Sequence, residues 1–125
     1  MRMIPYGEVI HDHSRHPRNV GSLAAPDIRH EGYNPFCGDR VRVELALEPD
    51  GTVQDARFQG DLCVIAKAAA SVLTELVIGL PLQAARDLPE EWMIEALRAE
   101  IQPARRKCAL LALEVLQSGI KESGR

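Results

Sequence analysis

Three thiols and one carboxylate are the residues of this chain best suited to chemistry. Cys37 sits in Asn34-Pro35-Phe36-Cys37-Gly38-Asp39, Cys63 opens an alanine-rich apolar stretch, and Cys108 follows Arg105, Arg106 and Lys107. None forms a Cys-x-x-Cys pair, which sets aside a zinc ribbon and a thioredoxin-type dithiol. Their odd number also argues against a self-contained disulfide framework. Three thiolates with Asp39 would instead offer four donors to zinc or to cluster iron. A hard carboxylate oxygen among soft sulfurs should make an iron–sulfur site weaker and more exchangeable. Taken singly, each residue has a plainer reading: a cysteine as a small buried hydrophobe, Asp39 as a turn or cap carboxylate. Spacing does not show that the three segments meet.

Cys63 and Cys108 fall near predicted helix starts, where unpaired amides and the helix dipole stabilise a thiolate. The three cations before Cys108 are expected to lower its pKa further. Lys107 has three open readings: a solvated cation, a pKa-lowering neighbour of Cys108, or a partner for Asp39. His11, His13 and His16 point in different directions around a helix and read as solvated helix-end residues rather than a second metal site. His30 reads as a loop residue without a companion. A thiol hydrolase needs a Cys–His pair oriented by a third group, and nothing local proposes one.

The elements that must carry these residues follow from periodicity. Tyr6, Val9, Ile10 and His13 recur at helical spacing, and Pro17 should end that helix. From Arg18 to Asn34-Pro35 the chain reads as a long irregular loop. Val41, Val43, Leu45 and Leu47 alternate as a half-buried strand, Pro49-Asp50-Gly51 is a turn, and Val53–Phe58 pairs back antiparallel. The alternation of that second strand is imperfect, because Asp55 falls on the face Val53 would bury. Beyond Gly60, Leu62 to Val77 forms a wide apolar helical stripe with Asp61 as its expected N-cap. Short helices are expected over Leu82–Leu88 and from Pro89, and a last one over Ala104–Ser118, stopped by Gly119. This pattern predicts a single α+β domain over residues 1–125, with helices on one face of a small, about three-stranded antiparallel sheet.

Composition narrows the function. The 125 residues are 46% hydrophobic and 26% charged, and the formal net charge is −3. That balance disfavours a sequence-independent nucleic-acid binder. No apolar run approaches the roughly 20 residues that span a bilayer. The start of the chain lacks an apolar signal-peptide core, so the expected compartment is the reducing cytoplasm, where cysteines bind metal or react.

Val9-Ile10 with Asp12-His13, Pro17-Arg18-Asn19-Val20-Gly21, Asn34 to Asp39, Asp55-Ala56-Arg57-Phe58, Cys63 with its helix to Thr74-Glu75, and Pro103 to Ala109 follow one another along the chain. Taken in that order, they resemble the IscU/SufU/NifU N-terminal family of iron–sulfur assembly proteins. The resemblance implies Cys37, Asp39, Cys63 and Cys108 as ligands of a transient [2Fe–2S] cluster or of zinc. It implies each cysteine as a candidate persulfide acceptor, with Lys107 and Arg105 beside the ligands. The implied partners are a pyridoxal-phosphate cysteine desulfurase and apo iron–sulfur proteins, and the implied role is a carrier rather than a turnover enzyme. A SufU-like zinc-bound sulfur-transfer protein is the alternative, and a structural zinc module the plainest one.

The marks of the branches are mixed. IscU-like members carry histidine before the third cysteine and a Leu-Pro-Pro-Val-Lys segment recognised by a heat-shock chaperone. Here the neighbour is Lys107 and the segment reads Ile101-Gln102-Pro103-Ala104-Arg105, which speaks against that chaperone as a partner. Pro-Ala-Arg-x-Lys-Cys looks SufU-like, yet the stretch from Cys63 to Cys108 is too short for the SufU insertion. Leu62 replaces the usual glycine and is expected at the rim of the site. Alanines replace serines in the helix that follows, which would change cluster stability or exchange.

Overall fold

The computed structural model describes residues 7–125, so Tyr6 of the expected first helix lies outside the described residues. Helix α1 runs over Gly7–Arg15 and ends ahead of Pro17. Three strands follow, β1 (Ile28–Asn34), β2 (Asp39–Leu47) and β3 (Val53–Asp61), paired antiparallel in that order. Then come α2 (Val64–Val77), α3 (Leu82–Arg86) and α4 (Glu90–Ala96). A 3₁₀ turn at Pro103–Arg105 leads into α5 (Arg106–Glu122). The expected α+β fold is the observed one. The sheet packs α5 over β1 and β2 and α2 over β3, with α1 against α2.

Strand β2 is the spine. Its inward residues Val41, Val43 and Leu45 are buried, as alternation requires. Asp39 shares their parity and is therefore an acid on the helix-covered face, 2% exposed. The imperfect alternation of β3 has a physical cause. Ala46 pairs with Asp55 and Leu47 with Val53, so Gln54 is an extra residue in the ladder. This bulge shifts the phase, letting Val53 as well as Ala56 and Phe58 face inward.

Strand β1 corrects the expected loop. Pairing with β2 puts Ile28, His30, Gly32 and Asn34 opposite Leu45, Val43, Val41 and Asp39, and only the first of these four is apolar. An edge strand without an apolar stripe has no periodic signature. Its inward face is instead closed by α5 at short range. A Cβ on Gly32 would lie 2.5 Å from Val115 Cγ2, and one on Gly119 would lie 2.8 Å from His30 Cβ. Gly119 is thus a close-approach residue within α5, not its stop, and the helix continues to Glu122.

Two further expectations change. Asp61 does not cap α2, because β3 extends through it to pair with Arg40. The N-cap is Cys63, whose sulfur accepts a hydrogen bond from the Ala66 amide at 3.4 Å. Pro89 stands just before α4 as its N-cap residue.

Candidate metal centre

One end of the sheet gathers the chemistry. Asn34 pairs with Asp39 where β1 turns into β2, and Arg40 pairs with Asp61 where β3 ends. The β1–β2 turn, the end of β3 leading into α2, and the start of α5 therefore meet there. Cys37 rides the turn, with the Cys37 and Gly38 amides donating to Asn34 O at 3.3 and 2.9 Å. Gly38 adopts φ +73°, a left-handed conformation that glycine takes without a Cβ clash. That turn presents Cys37 to solvent and returns Asp39 to the core face.

Ligand atoms of Cys37, Asp39 and Cys108 lie within 4.8 Å of one another. Cys37 Sγ and Cys108 Sγ are 3.1 Å apart. Cys63 falls outside that tightest group but adjoins it through the carboxylate. Asp39 Oδ1 accepts from the Cys63 amide at 2.8 Å, and Oδ2 accepts from its thiol at 3.6 Å. The four residues singled out in the sequence are thus brought to one place.

The cations before Cys108 do other work than expected. Arg105 donates through Nη2 to Cys63 Sγ at 3.4 Å. Arg106 pairs with Glu91 of α4. Lys107 holds its Nζ 4.6 Å from the Phe36 ring centroid, in a cation–π contact beside the Cys37 turn. Of the three only Arg105 also interacts with Cys108, and more weakly than with Cys63. Burial, then the adjoining Cys37 and Cys63 sulfurs, push its thiol up to about 12, the opposite of the expected lowering. Desolvation outweighs the helix dipole here because the residue is fully buried.

The motif around Cys37 assigns Asn34 no role. Its side chain is buried, accepts from the Phe36 amide at 3.1 Å and points Nδ2 at Cys108 Sγ at 3.9 Å. It ties the turn to the α5 thiol. Its position immediately before Pro35 was the only sequence signal. Leu62 is half-buried and packs against the core. Ala66, Ala68, Ala69 and Ala70 are likewise core residues.

His16 is exposed, as the sequence reading expects, but two other histidines differ from it. His13 is 12% exposed, with Nδ1 2.7 Å from Ser71 Oγ and Nε2 3.5 Å from Glu75. Ser71 Oγ also accepts from the Arg18 amide at 2.9 Å, so the segment after α1 is fastened to α2. His30 lies on β1, with Nδ1 3.1 Å from Glu122. Neither touches a thiol hydrogen-bonded in the site.

The donor chemistry fits a thiophilic metal. A tetrahedral zinc with sulfurs at about 2.3 Å has ligands roughly 3.8 Å apart, comparable to the spacing of the Cys37–Asp39–Cys108 group. Arg105 Nε is a buried donor with no hydrogen-bond partner among the described residues, suited to an anionic metal–thiolate group beside it. A shallow depression lined by Asn34, Phe36, Cys37, Ala104 and Lys107 opens next to the exposed thiol. Among the described residues, no helix is long and apolar enough to cross a membrane.

Comparison with known proteins places the chain among relatives. The family model described as the NifU-like N terminal domain matches residues 5–124. The zinc-dependent sulfurtransferase SufU of Bacillus subtilis is 36% identical, covering 95% of this chain and 92% of the relative. That alignment spans 137 positions, more than this chain's length, so the relative carries residues absent here. The iron–sulfur cluster assembly scaffold protein IscU of Aquifex aeolicus is also 36% identical, over 94% of this chain and 74% of its own. A crystal structure of the N-terminal part of a NifU-like protein from Brucella abortus shares the fold. Its TM-score is 0.75 at 24% identity, with 95% of this chain and 94% of that one covered.

Proposed function

The chain belongs to the NifU-like N-terminal domain family, and on that premise we propose that it is an iron–sulfur assembly scaffold. In this reading Cys37, Asp39, Cys63 and Cys108 hold the cargo, a transient [2Fe–2S] cluster. Its sulfur comes from a pyridoxal-phosphate cysteine desulfurase, and apo iron–sulfur proteins receive the product. The observation that carries the reading is the placing of one buried carboxylate against three thiols at an open end of the sheet. Cys37 is the thiol a sulfur donor meets first, since it alone of the three is exposed. Asp39 supplies the weakly held, exchangeable donor. Arg105 steadies Cys63, and Lys107 with Phe36 frames the entrance.

A second reading has its own support. The Cys37–Asp39–Cys108 group is compact enough for one ion, and the zinc-dependent SufU relative is as similar as the IscU relative. Zinc would hold the thiols deprotonated and poised for sulfur transfer. The two readings separate on anaerobic reconstitution with iron, sulfide and a thiol, run beside elemental analysis of protein purified without chelator. A scaffold develops the visible absorption of a [2Fe–2S] cluster. Protein that develops none, yet retains tightly bound zinc, is not a cluster scaffold.

A further inference from the structure

We propose that Cys108 is a resolving thiol for Cys37: sulfur received on Cys37 leaves as sulfide while a Cys37–Cys108 disulfide forms. This rests on the sulfur-accepting reading above and adds a step to it. The basis is an asymmetry among the thiols. Cys37 is exposed and Cys108 is fully buried, yet their sulfurs are 3.1 Å apart. A donor arriving from solvent reaches Cys37 and is kept from Cys108. Cys63 is committed elsewhere, its sulfur engaged by Asp39 Oδ2 at 3.6 Å, Arg105 Nη2 at 3.4 Å and the Ala66 amide at 3.4 Å.

With an extra sulfur on Cys37, the outer atom extends to the solvent side because Cys108 and its helix fill the inner side. Cys108 Sγ then lies behind the inner sulfur, the approach that thiol–disulfide exchange uses. The Cys108–Cys37 bond forms as the sulfurs close from 3.1 Å to about 2.05 Å. The bond from Cys37 Sγ to the outer sulfur breaks, and its electron pair leaves with that atom as hydrosulfide. The proton given up by Cys108 completes hydrogen sulfide. The outer sulfur is reduced, the Cys108 sulfur is oxidised to the disulfide level, and no outside oxidant or reductant enters. Returning the pair to two thiols takes two electrons from an external dithiol. The step turns a delivered sulfur into sulfide at the place where metal would be held.

The test uses the full chain, metal-free, reduced, and freed of reductant under anaerobic conditions. It is loaded with inorganic polysulfide, desalted, and followed by intact-mass and peptide-mapping mass spectrometry. Wild type should end two hydrogens lighter than the reduced chain, with Cys37 joined to Cys108. Cys108→Ser and Cys108→Ala should each keep one extra sulfur on Cys37. Retention of the sulfur by wild type for as long as by Cys108→Ser, or a disulfide mapping to Cys63, overturns the proposal. A parallel arm supplies Cys108→Ser with a cysteine desulfurase and cysteine. If polysulfide loads Cys37 there but the desulfurase loads no thiol, the sulfur-acceptor reading fails while the resolving step stands.

Discussion

The cysteines owe their different characters to position rather than to sequence neighbours. Cys37 is lifted into solvent by a turn that needs Gly38, Cys63 caps a helix under an arginine, and Cys108 is sealed beneath both. The sequence displayed the donor types plainly. It misdirected on the pKa of Cys108, because adjacency in the chain does not tell where Arg105, Arg106 and Lys107 reach. Asp39 is the donor most open to direct test. It bridges the amide and thiol of Cys63 and is the only hard donor in the set. Replacement of Asp39 by Ala should lengthen the lifetime of a reconstituted cluster severalfold by slowing its exchange, as read from the decay of visible absorption on adding an apo-acceptor. Faster decay in a variant whose circular dichroism is unchanged would contradict the role given to the carboxylate.

Elements were legible where an apolar period existed and hidden where contact distance replaced it. Strand β2 and helix α2 could be read from alternation and from a helical stripe. Strand β1 could not, since its inward face is mostly His30, Gly32 and Asn34. The same close packing gives a stability prediction. Gly119→Ala would put a methyl 2.8 Å from His30 Cβ and 3.3 Å from Ile28 Cγ2. Overpacking of this kind costs about 1–3 kcal/mol, measurable by urea unfolding; wild-type stability in that variant would mean α5 does not lie so near β1. The α1–α2 connection is the other element-level device. Burial, then nearby Arg18, lowers the His13 pKa against the opposing pull of Glu75 and Asp12. The unfolded chain therefore takes up this proton first as pH falls. The neutral-state contribution is full above the ordinary histidine value of about 6.5 and is lost as pH drops through the window below it. Melting temperature should accordingly decline through that window, and the decline should be shallower in His13→Gln. An equal slope in both proteins would place the pH sensitivity elsewhere.

At the scale of the molecule, the fold solves the problem that spacing left open. Antiparallel pairing aligns Asn34 with Asp39 and Arg40 with Asp61, so three distant segments reach one end of the sheet. That convergence was not legible in the sequence by periodicity. It came only through the family resemblance, which covers 5–124 in the matched family model. The layered core of sheet, α2 and α5 holds Cys63 and Cys108 in fixed places, while the turn keeps Cys37 accessible. On the proposed reading, a molecule so built takes sulfur at its exposed thiol, beside a carboxylate. Incubation of the reduced, metal-free chain with a cysteine desulfurase and sulfur-labelled cysteine, followed by peptide mapping, tests this most directly. The label should appear on Cys37 of Cys108→Ser, which keeps the sulfur that wild type releases as labelled sulfide, with a marked loss when Cys37 is also replaced by Ser. No label on Cys37 or Cys63 of Cys108→Ser, together with no labelled sulfide released by wild type, would contradict the scaffold account and leave a structural metal module.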